Sequence, residues 1–599
     1  MNFLSIEELK KLDINSAEEY CDALRRYLIE NVNASGGHLA SNLGVTEISV
    51  ALMRTFDSPK DKIIYDVGHQ SYIHKLLTGR AFDKDNLRSF NGYSGFTKRD
   101  ESEHDPFGAG HSSTALSAAL GFSRASRLKG EDSYSVAVIG DGAFCTGMTF
   151  EALNNVHKDD KLIIVLNDNE MSISKNVGTM SAYLNKIRVT QKYLTFKRKT
   201  KLAFGKVPLI FKAISALKRL AKRVLIKPTF FEDLGIYYIG PADGNDLNTV
   251  ENLILEAKSR NSPVLLHFVT KKGKGLKEAE ENPGKYHFVS PCTNTERSFS
   301  QEYTFLLTEY SKTNSRAVAI TAAMCDGTGL SEYKKVFPDR LFDVGISEEH
   351  AATFAAALSA GGFLPFYTVY STFFQRSYDQ VIHDIALQKL KAVIALDRAG
   401  LVGADGATHH GLFDVSMMLN VPDTAIYSPA TFAELKYAFN KCAEYNYTSV
   451  LRYPKAGDSK LISSIFSPDK DFCLDCVEHS DIVIVTYGRV TEEVLKAKAL
   501  LKSKGYSVTV LKFLKLKPLD FKRIELLINS ISPKLLCVVE EGMKTGGFGE
   551  YLLSNVKLNA KTEVIAIDEM FVPHGTLQEL YDFCSLSGAK ICARILKCL

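Results

Sequence analysis

Two short apolar runs, each closed by a tight polar turn, constrain this chain more than any other stretch. Val136–Ile139 stops at Gly140-Asp141-Gly142, and Leu162–Leu166 stops at Asn167-Asp168-Asn169. Between them, Phe144–Val156 can place Phe144, Met148, Ala152 and Val156 on one helical face. The segment reads as strand, turn, helix, strand, turn. Parallel strands joined by a helix bring their C-terminal ends side by side, where α/β sheets bind ligands. Asp141 and Asn169 can converge there. One carboxylate, one amide oxygen and a nearby backbone carbonyl suit a hard divalent cation that keeps phosphate oxygens as its other ligands. Gly142 lets the backbone come close to a diphosphate. Gly, Asn and Asp favour turns in any case. The informative observation is that both motifs occur together, each at the end of an apolar run.

The 599 residues allow roughly three to four domains. A net charge of +4 is too small for a chain that is basic throughout, so no nucleic-acid partner is expected. No apolar run is long enough to span a bilayer. The N-terminal MNFLSIEELKKLD carries acids and no long apolar core, unlike a secretory signal. Eleven scattered cysteines, an odd number, fit reduced thiols in a cytoplasm. Cys473 and Cys476, followed by His479, form a lone CxxC. Without a second pair it is weak evidence for metal or redox chemistry.

Ahead of the central stretch, residues 17–30 read as an amphipathic helix, and three glycine-rich loops each hold a histidine: His38, His69 and His111. Neutral imidazoles can bond diphosphate oxygens or move protons near neutral pH. Residues 186–227 carry no acid, and 208–224 have helical periodicity with one basic side. A membrane-surface helix or a polyanion patch is conceivable, but a solvated insertion is the simpler reading of such a charge run. Gly240–Asp246 reads as a turn-rich loop, and Pro263–Thr270 as a strand ended by Lys271-Lys272-Gly273-Lys274-Gly275. A second α/β unit begins near 301, with strands at Ala317–Thr321, Leu341–Ile346, Pro365–Tyr370, Lys391–Leu396 and Ser449–Tyr453. Its long loop Asp397–Gly411 follows a strand directly, as ligand-binding loops do. A third unit, from about 478, has strands at Ile482–Thr486, Val508–Leu511, Leu535–Val539 and Glu563–Ile567 and no chemical motif. The expected fold is α/β, with domains at 1–295 (carrying a basic insertion about 176–228), 296–460 and 476–599, each with a mainly parallel sheet flanked by helices.

The GDG and NDN pair resembles the thiamine diphosphate and magnesium signature of the transketolase-like superfamily. The longer segments GGHLASNLGVTE, IYDVGHQSYIHKLLTGR, GAGHSSTALSAALG, VIGDGAFCTGM, NDNEMSIS, GISEEHAATFAA, YSTFFQRSYDQVIHD, DRAGLVGADGATHHGLFD and LRYP resemble the 1-deoxy-D-xylulose-5-phosphate synthase family over nearly the whole chain. The resemblance implies two thiamine-diphosphate-binding folds followed by a transketolase C-terminal domain. It also implies a homodimer whose active site lies between the first two domains of one chain. The implied reaction joins pyruvate to D-glyceraldehyde 3-phosphate, releasing carbon dioxide. By the same resemblance, Asp141, Asn169 and the Met171 carbonyl hold Mg²⁺. His69, Gly110, His111, Ser112, Gly142 and Ala143 line the diphosphate, and Ile173 supports the bent cofactor. Glu348 bonds the aminopyrimidine nitrogen and Phe373 stacks on that ring. His38, His287 and His409 are proton donors, with Asp405 and Arg88 near the pyruvate-derived part. Tyr370, Arg398 and Arg452 clamp the substrate phosphate, for which an arginine fork is suited.

Four positions depart from the family pattern. Leu276 stands where a tyrosine usually touches the cofactor, Asn245 where His is usual, Cys325 where Arg is frequent, and Lys455 where Arg is common. Losing the tyrosine hydroxyl contact at 276 costs about 0.5–1.5 kcal/mol, the net worth of an ordinary hydrogen bond. The expected activity is therefore retained. The alternatives are a related thiamine-dependent transferase with another donor and a catalytically silent, ligand-binding paralogue.

Overall fold

A computed structural model describes residues 1, 3–169, 178–187, 229–290, 296–476 and 479–599. Met171, Ile173 and residues 188–227 of the basic block lie outside the described residues. The chain divides into two compact units, Met1–Leu87 with Gly95–Pro291, and Arg88–Ser94 with Cys292–Leu599.

The first unit holds five parallel strands: β1 (Lys62–Tyr65), β2 (Ser135–Gly140), β3 (Leu162–Asp168), β4 (Tyr237–Asp243) and β5 (Val264–Val269), in the order β1-β2-β3-β5-β4. β2, β3 and β5 are buried almost throughout. A parallel sheet covered on both faces has no solvent side, so its strands read as apolar runs rather than alternation. Ala119, Ile139, Phe144, Leu153, Ile164 and Phe231 belong to one core between this sheet and its helices.

Two local readings are corrected. The helix expected over Phe144–Val156 is two helices, Asp141–Phe144 and Gly147–Asn154. The hydroxyls of Thr146 and Thr149 both donate to the Ala143 carbonyl and pin the break. Met148 turns outward as a result. Gly240–Asp243 is not a loop but the end of β4, whose register shifts between Ile239 and Ala242. That irregularity accommodates Pro241 on an edge strand. Gly240 has φ +126°, and a Cβ there would meet the His267 carbonyl at 2.5 Å, so glycine is required.

Among the described residues, the second unit holds two sheets. One is parallel through β6 (Ala317–Thr321), β7 (Leu341–Asp343), β8 (Leu364–Tyr370), β9 (Val393–Asp397), β10 (Ala425–Tyr427) and β11 (Ser449–Arg452). The other contains β12 (Phe472–Leu474), β13 (Ile482–Tyr487), β14 (Val508–Phe513), β16 (Leu535–Met543) and β17 (Lys561–Ile567), with only β12 antiparallel. The remaining strand, β15 (Lys515–Lys517), leaves that second sheet and pairs antiparallel with β10 in the first. β10, β12 and β15 have three residues each, too few to show a period in sequence. The strand expected at Leu341–Ile346 stops at Asp343.

A buried ion pair reinforces the join. Lys512 of β14 donates to Glu434 at 2.6 Å, and both side chains are at most 3% exposed. Glu434 also accepts from the Ala430 amide at 2.8 Å. Removing one member strands the other charge in the core. Glu434→Ala is expected to lose about 3–5 kcal/mol of stability, read as a lower urea midpoint. A Glu434→Leu, Lys512→Met double variant is expected to recover most of that loss.

Candidate active site

The chemistry-bearing residues gather in two clusters, one in each unit. In the first unit β2 and β3 are adjacent, with Gly140 opposite Asn167, so the residues that follow them lie side by side. Asp141 and Asp168 are 3% and 2% exposed. Burial raises the Asp141 carboxyl well above the usual range, the Asp168 charge raises it further, and Lys272 opposes them. The Asp141 Oδ2 atom is buried and accepts no hydrogen bond. Two acids held together with an unused lone pair fit a divalent cation, which would remove the repulsion. Lys272 is itself buried, and desolvation pulls its ammonium down to about 8. Among the described residues no group of three His, Cys, Asp or Glu side chains forms a metal cage. The expected set, with one carboxylate, one amide and one carbonyl, needs none.

Asp168 is fixed from behind. His267 Nε2 lies 2.8 Å from Asp168 Oδ2, and the Tyr238 hydroxyl lies 2.8 Å from His267 Nδ1. Gln70, Asn167 and Thr270 form a second chain across the strand ends, at 3.0 and 2.6 Å. Asn169 follows, half-buried.

Two of the three loops bearing glycine and histidine converge, and His287 joins them. The rings of His38, His69 and His287 lie 5.5 Å apart pairwise. One buried amide joins the first two loops: Asn42 Nδ2 donates to the carbonyls of His38 and His69 at 2.6 and 2.7 Å, and its Oδ1 accepts from the Tyr72 amide. Burial, then Lys272, lowers His69 to about 3 and His287 well below its usual value. Both are therefore neutral at physiological pH, each offering one N–H and one lone pair. Asp66 accepts from the Ser113 and Ala115 amides, positioning the loop with Gly110, His111 and Ser112 at a helix start. Asp105 receives the two terminal Arg80 nitrogens at 2.6 and 2.8 Å and accepts from the Lys98 amide, fixing the segment ahead of that loop. Gly142 and Ala143 lie in the short helix after β2, and Leu276 is half-buried before the helix Lys277–Glu281.

The second cluster lies at the ends of β8, β9 and β11. Glu348 opens the helix Glu348–Ala360 and is 2% exposed. Its Oε2 has no hydrogen-bond partner, and the Arg376 guanidinium stands 3.7 Å away. Burial raises the carboxyl to about 7, against the pull of Arg376. A buried carboxyl that ionises near neutrality can give or take a proton at a ring nitrogen. Phe373 stacks with Tyr370 at 5.7 Å and meets His409 edge-on at 5.4 Å. Arg398 lies over the Tyr370 ring at 3.9 Å. Gly327 makes room for this tyrosine, since a Cβ there would overlap its hydroxyl. Arg88 pairs with Asp405 at 2.6 Å, both buried.

The two arginines expected to share a phosphate have different surroundings. Arg452 gives Nε to Asp414 at 2.9 Å and Nη1 to Ser428 at 3.0 Å, and keeps only Nη2 without a partner. Desolvation of its ammonium, and then repulsion from Arg398, draws Lys455 down to about 8, although part of the residue reaches solvent.

The departures at 245 and 325 are accommodated. Asn245 donates to the Gly44 carbonyl and Glu47 and accepts from the Lys271 amide. The Cys325 thiol donates to Asp343, and burial pushes it up to about 12.

Asn42, Asp105, Asp168, His267 and Lys272 escape a motif-based reading. Only the position of Asp168 inside NDN and of Lys272 after a strand end signals them.

Comparison with known proteins agrees along the chain. The family model for 1-deoxy-D-xylulose-5-phosphate synthase matches residues 2–270, that for the transketolase pyrimidine-binding domain 296–457, and that for the transketolase C-terminal domain 475–591. The 1-deoxy-D-xylulose-5-phosphate synthase of Clostridium kluyveri is 43% identical, covering 100% of this chain and 98% of the relative. That of Caldanaerobacter subterraneus is 42% identical, covering 98% and 97%. That of Clostridium acetobutylicum is 40% identical, covering 99% and 98%.

Glu348 generates a stability prediction. Its pKa is raised from 4.5 to about 7 in the folded chain. The folded state holds the proton more tightly, so the contribution is fully present below pH 4.5 and is lost as pH rises through about 7. Glu348→Gln removes that loss. The variant and the wild type are expected to unfold alike near pH 4.5. At pH 8 the variant should be more stable by about 3 kcal/mol, measured as the difference in urea midpoints.

Proposed function

The chain belongs to the 1-deoxy-D-xylulose-5-phosphate synthase family, and from that premise we propose that it joins pyruvate to D-glyceraldehyde 3-phosphate. The products are 1-deoxy-D-xylulose 5-phosphate and carbon dioxide, the first step of the non-mevalonate isoprenoid pathway. The family implies thiamine diphosphate as cofactor. When bound, thiamine diphosphate supplies the electron sink for decarboxylation and carbon–carbon bond formation.

The observation that carries the reading is the pair of buried, unsatisfied carboxyl oxygens, on Asp141 and Glu348. Asp141, Asn169 and the Met171 carbonyl hold Mg²⁺. His69, Gly110, His111, Ser112, Gly142 and Ala143 line the diphosphate, and Ile173 and Leu276 give apolar support. Glu348 exchanges a proton with the aminopyrimidine nitrogen, aided by its carboxyl sitting at about 7. Phe373 stacks on that ring. Arg88, held by Asp405, faces the pyruvate carboxylate. His38, His287 and His409 are the proton donors; the low basicity of His287 means that a proton it picks up is readily given on. Tyr370, Arg398 and the spare Nη2 of Arg452 bind the phosphate.

Domains at 1–295, 296–460 and 476–599 belong to the same proposal, supported by the three sheets and the spans of the family matches. So does a cytoplasmic homodimer; the ten described cysteines are all free thiols, which supports a reducing compartment.

The test supplies purified protein with thiamine diphosphate, Mg²⁺, pyruvate and D-glyceraldehyde 3-phosphate. Carbon dioxide and 1-deoxy-D-xylulose 5-phosphate are expected in equal amounts. Turnover of a ketose phosphate donor without carbon dioxide would select a transketolase-type enzyme instead. Cofactor binding without any turnover would select a silent paralogue.

A further inference from the structure

The loop Gly400–Gly411, which carries Asp405 and His409, is closed at its neck by two backbone bonds between Gly400 and Gly411, both 2.8 Å. It follows β9, yet its fastenings come from the chain of β16 and the segment after β17. At the neck, Glu541 Oε1 accepts from the Leu401 amide at 2.7 Å, while the Tyr581 hydroxyl donates to Oε2 at 3.3 Å. The Glu541 carboxylate fills the space beside Gly400, where an added Cβ would lie 2.7 Å from it. Just past the neck, the Met543 amide donates to the Leu412 carbonyl. At the middle, His410 is gripped through both ring nitrogens, accepting from the Val402 amide and facing the Pro573 carbonyl at 3.0 Å. That pattern assigns the proton to Nε2. At the tip, Gly406 (φ +71°) lies against His574, where a Cβ would come within 2.9 Å of the histidine Cβ.

The same fastenings hold a second segment. His574 Nε2 faces the Gly92 carbonyl at 3.1 Å. Gly575 packs on Phe90, and Phe90 meets Phe583 at 5.8 Å. Residues 88–94 carry Arg88, whose amide donates to Tyr93 and whose guanidinium pairs with Asp405. The two members of the Arg88–Asp405 pair are thus seated side by side on residues 541 and 573–575, which bear no group expected to touch substrate.

We propose that the C-terminal sheet region, through Glu541, Pro573 and His574, is a clamp that sets the Arg88–Asp405 pair and so tunes the site toward the 2-oxo acid. Glu541 and His574 are positioning residues; they act through the loop and the 88–94 segment. This rests on the functional reading above for the identity of the substrate, and on geometry alone for the clamp. A carboxylate site misplaced by as little as an ångström loses about 10²-fold in rate.

The test uses the full-length chain with thiamine diphosphate and Mg²⁺, comparing Glu541→Ala, His574→Ala and the conservative Glu541→Gln. Hydrogen exchange of the peptide spanning 398–412 reads the clamp without reference to activity. Both alanine variants are expected to lose protection there, with protection of β13 and β16 unchanged, and Glu541→Gln is expected to keep it. Kinetically, the alanine variants should raise KM for pyruvate by at least about tenfold. KM for D-glyceraldehyde 3-phosphate and the affinity for thiamine diphosphate should stay within about twofold, and Glu541→Gln should restore the pyruvate KM. Unchanged exchange in both alanine variants would overturn the clamp whatever the activity. Lost protection with equal rises in all three constants would overturn the pyruvate-specific tuning. If the wild type turns over neither substrate, the functional reading fails while the exchange result still decides the clamp.

Discussion

Two acids buried side by side, with the carboxyl of Asp141 pushed well above its usual range, are the constraint on which the first unit depends. Asp141 and Asp168 meet because β2 and β3 are neighbours in register, with Gly140 opposite Asn167 and an acid directly after each. In a low-dielectric site that contact is unfavourable on its own. Much of the surrounding structure keeps it in place. His267 and Tyr238 hold Asp168, Lys272 offsets part of the charge, and Gln70, Asn167 and Thr270 tie the strand ends together. Asn42, Asp66 and Asp105 then fix the loops around the two acids. A divalent cation held by Asp141 would relieve that contact and turn it into a binding site.

The second unit repeats the same physics with other residues. Glu348 is buried without a hydrogen bond on Oε2, and Arg452 keeps one buried nitrogen unpaired. Asp397 is held up to about 6 by burial despite the adjoining Arg398. A core designed only for stability would satisfy or remove these groups. Under the functional reading, Glu348 and Arg452 are positions at which function is traded against stability.

The sequence made the sheets readable because parallel strands buried on both faces are continuous apolar runs, as at Leu162–Leu166 and Ile482–Thr486. It also singled out Asp141 as a candidate, since GDG and NDN each close an apolar run and occur together, although either alone is ordinary turn chemistry. Three kinds of feature stayed hidden. Strands of three residues, such as β15, have no period. Gly240-Pro241 has turn chemistry yet lies inside an edge strand. Residues acting through others leave no motif: Asp168 depends on His267 from a strand distant in sequence, and Glu541 on a loop joined to a different sheet. Their roles come from tertiary proximity, which periodicity and local spacing do not encode.

The most direct measurement is a Mn²⁺ titration of the purified chain, following free Mn²⁺ by electron paramagnetic resonance with and without thiamine diphosphate. If the paired acids are a cation–diphosphate site, a single tight Mn²⁺ site per chain should form only with the cofactor and should vanish in Asp141→Asn. Thiamine diphosphate binding that is indifferent both to divalent cation and to Asp141 would contradict this assignment.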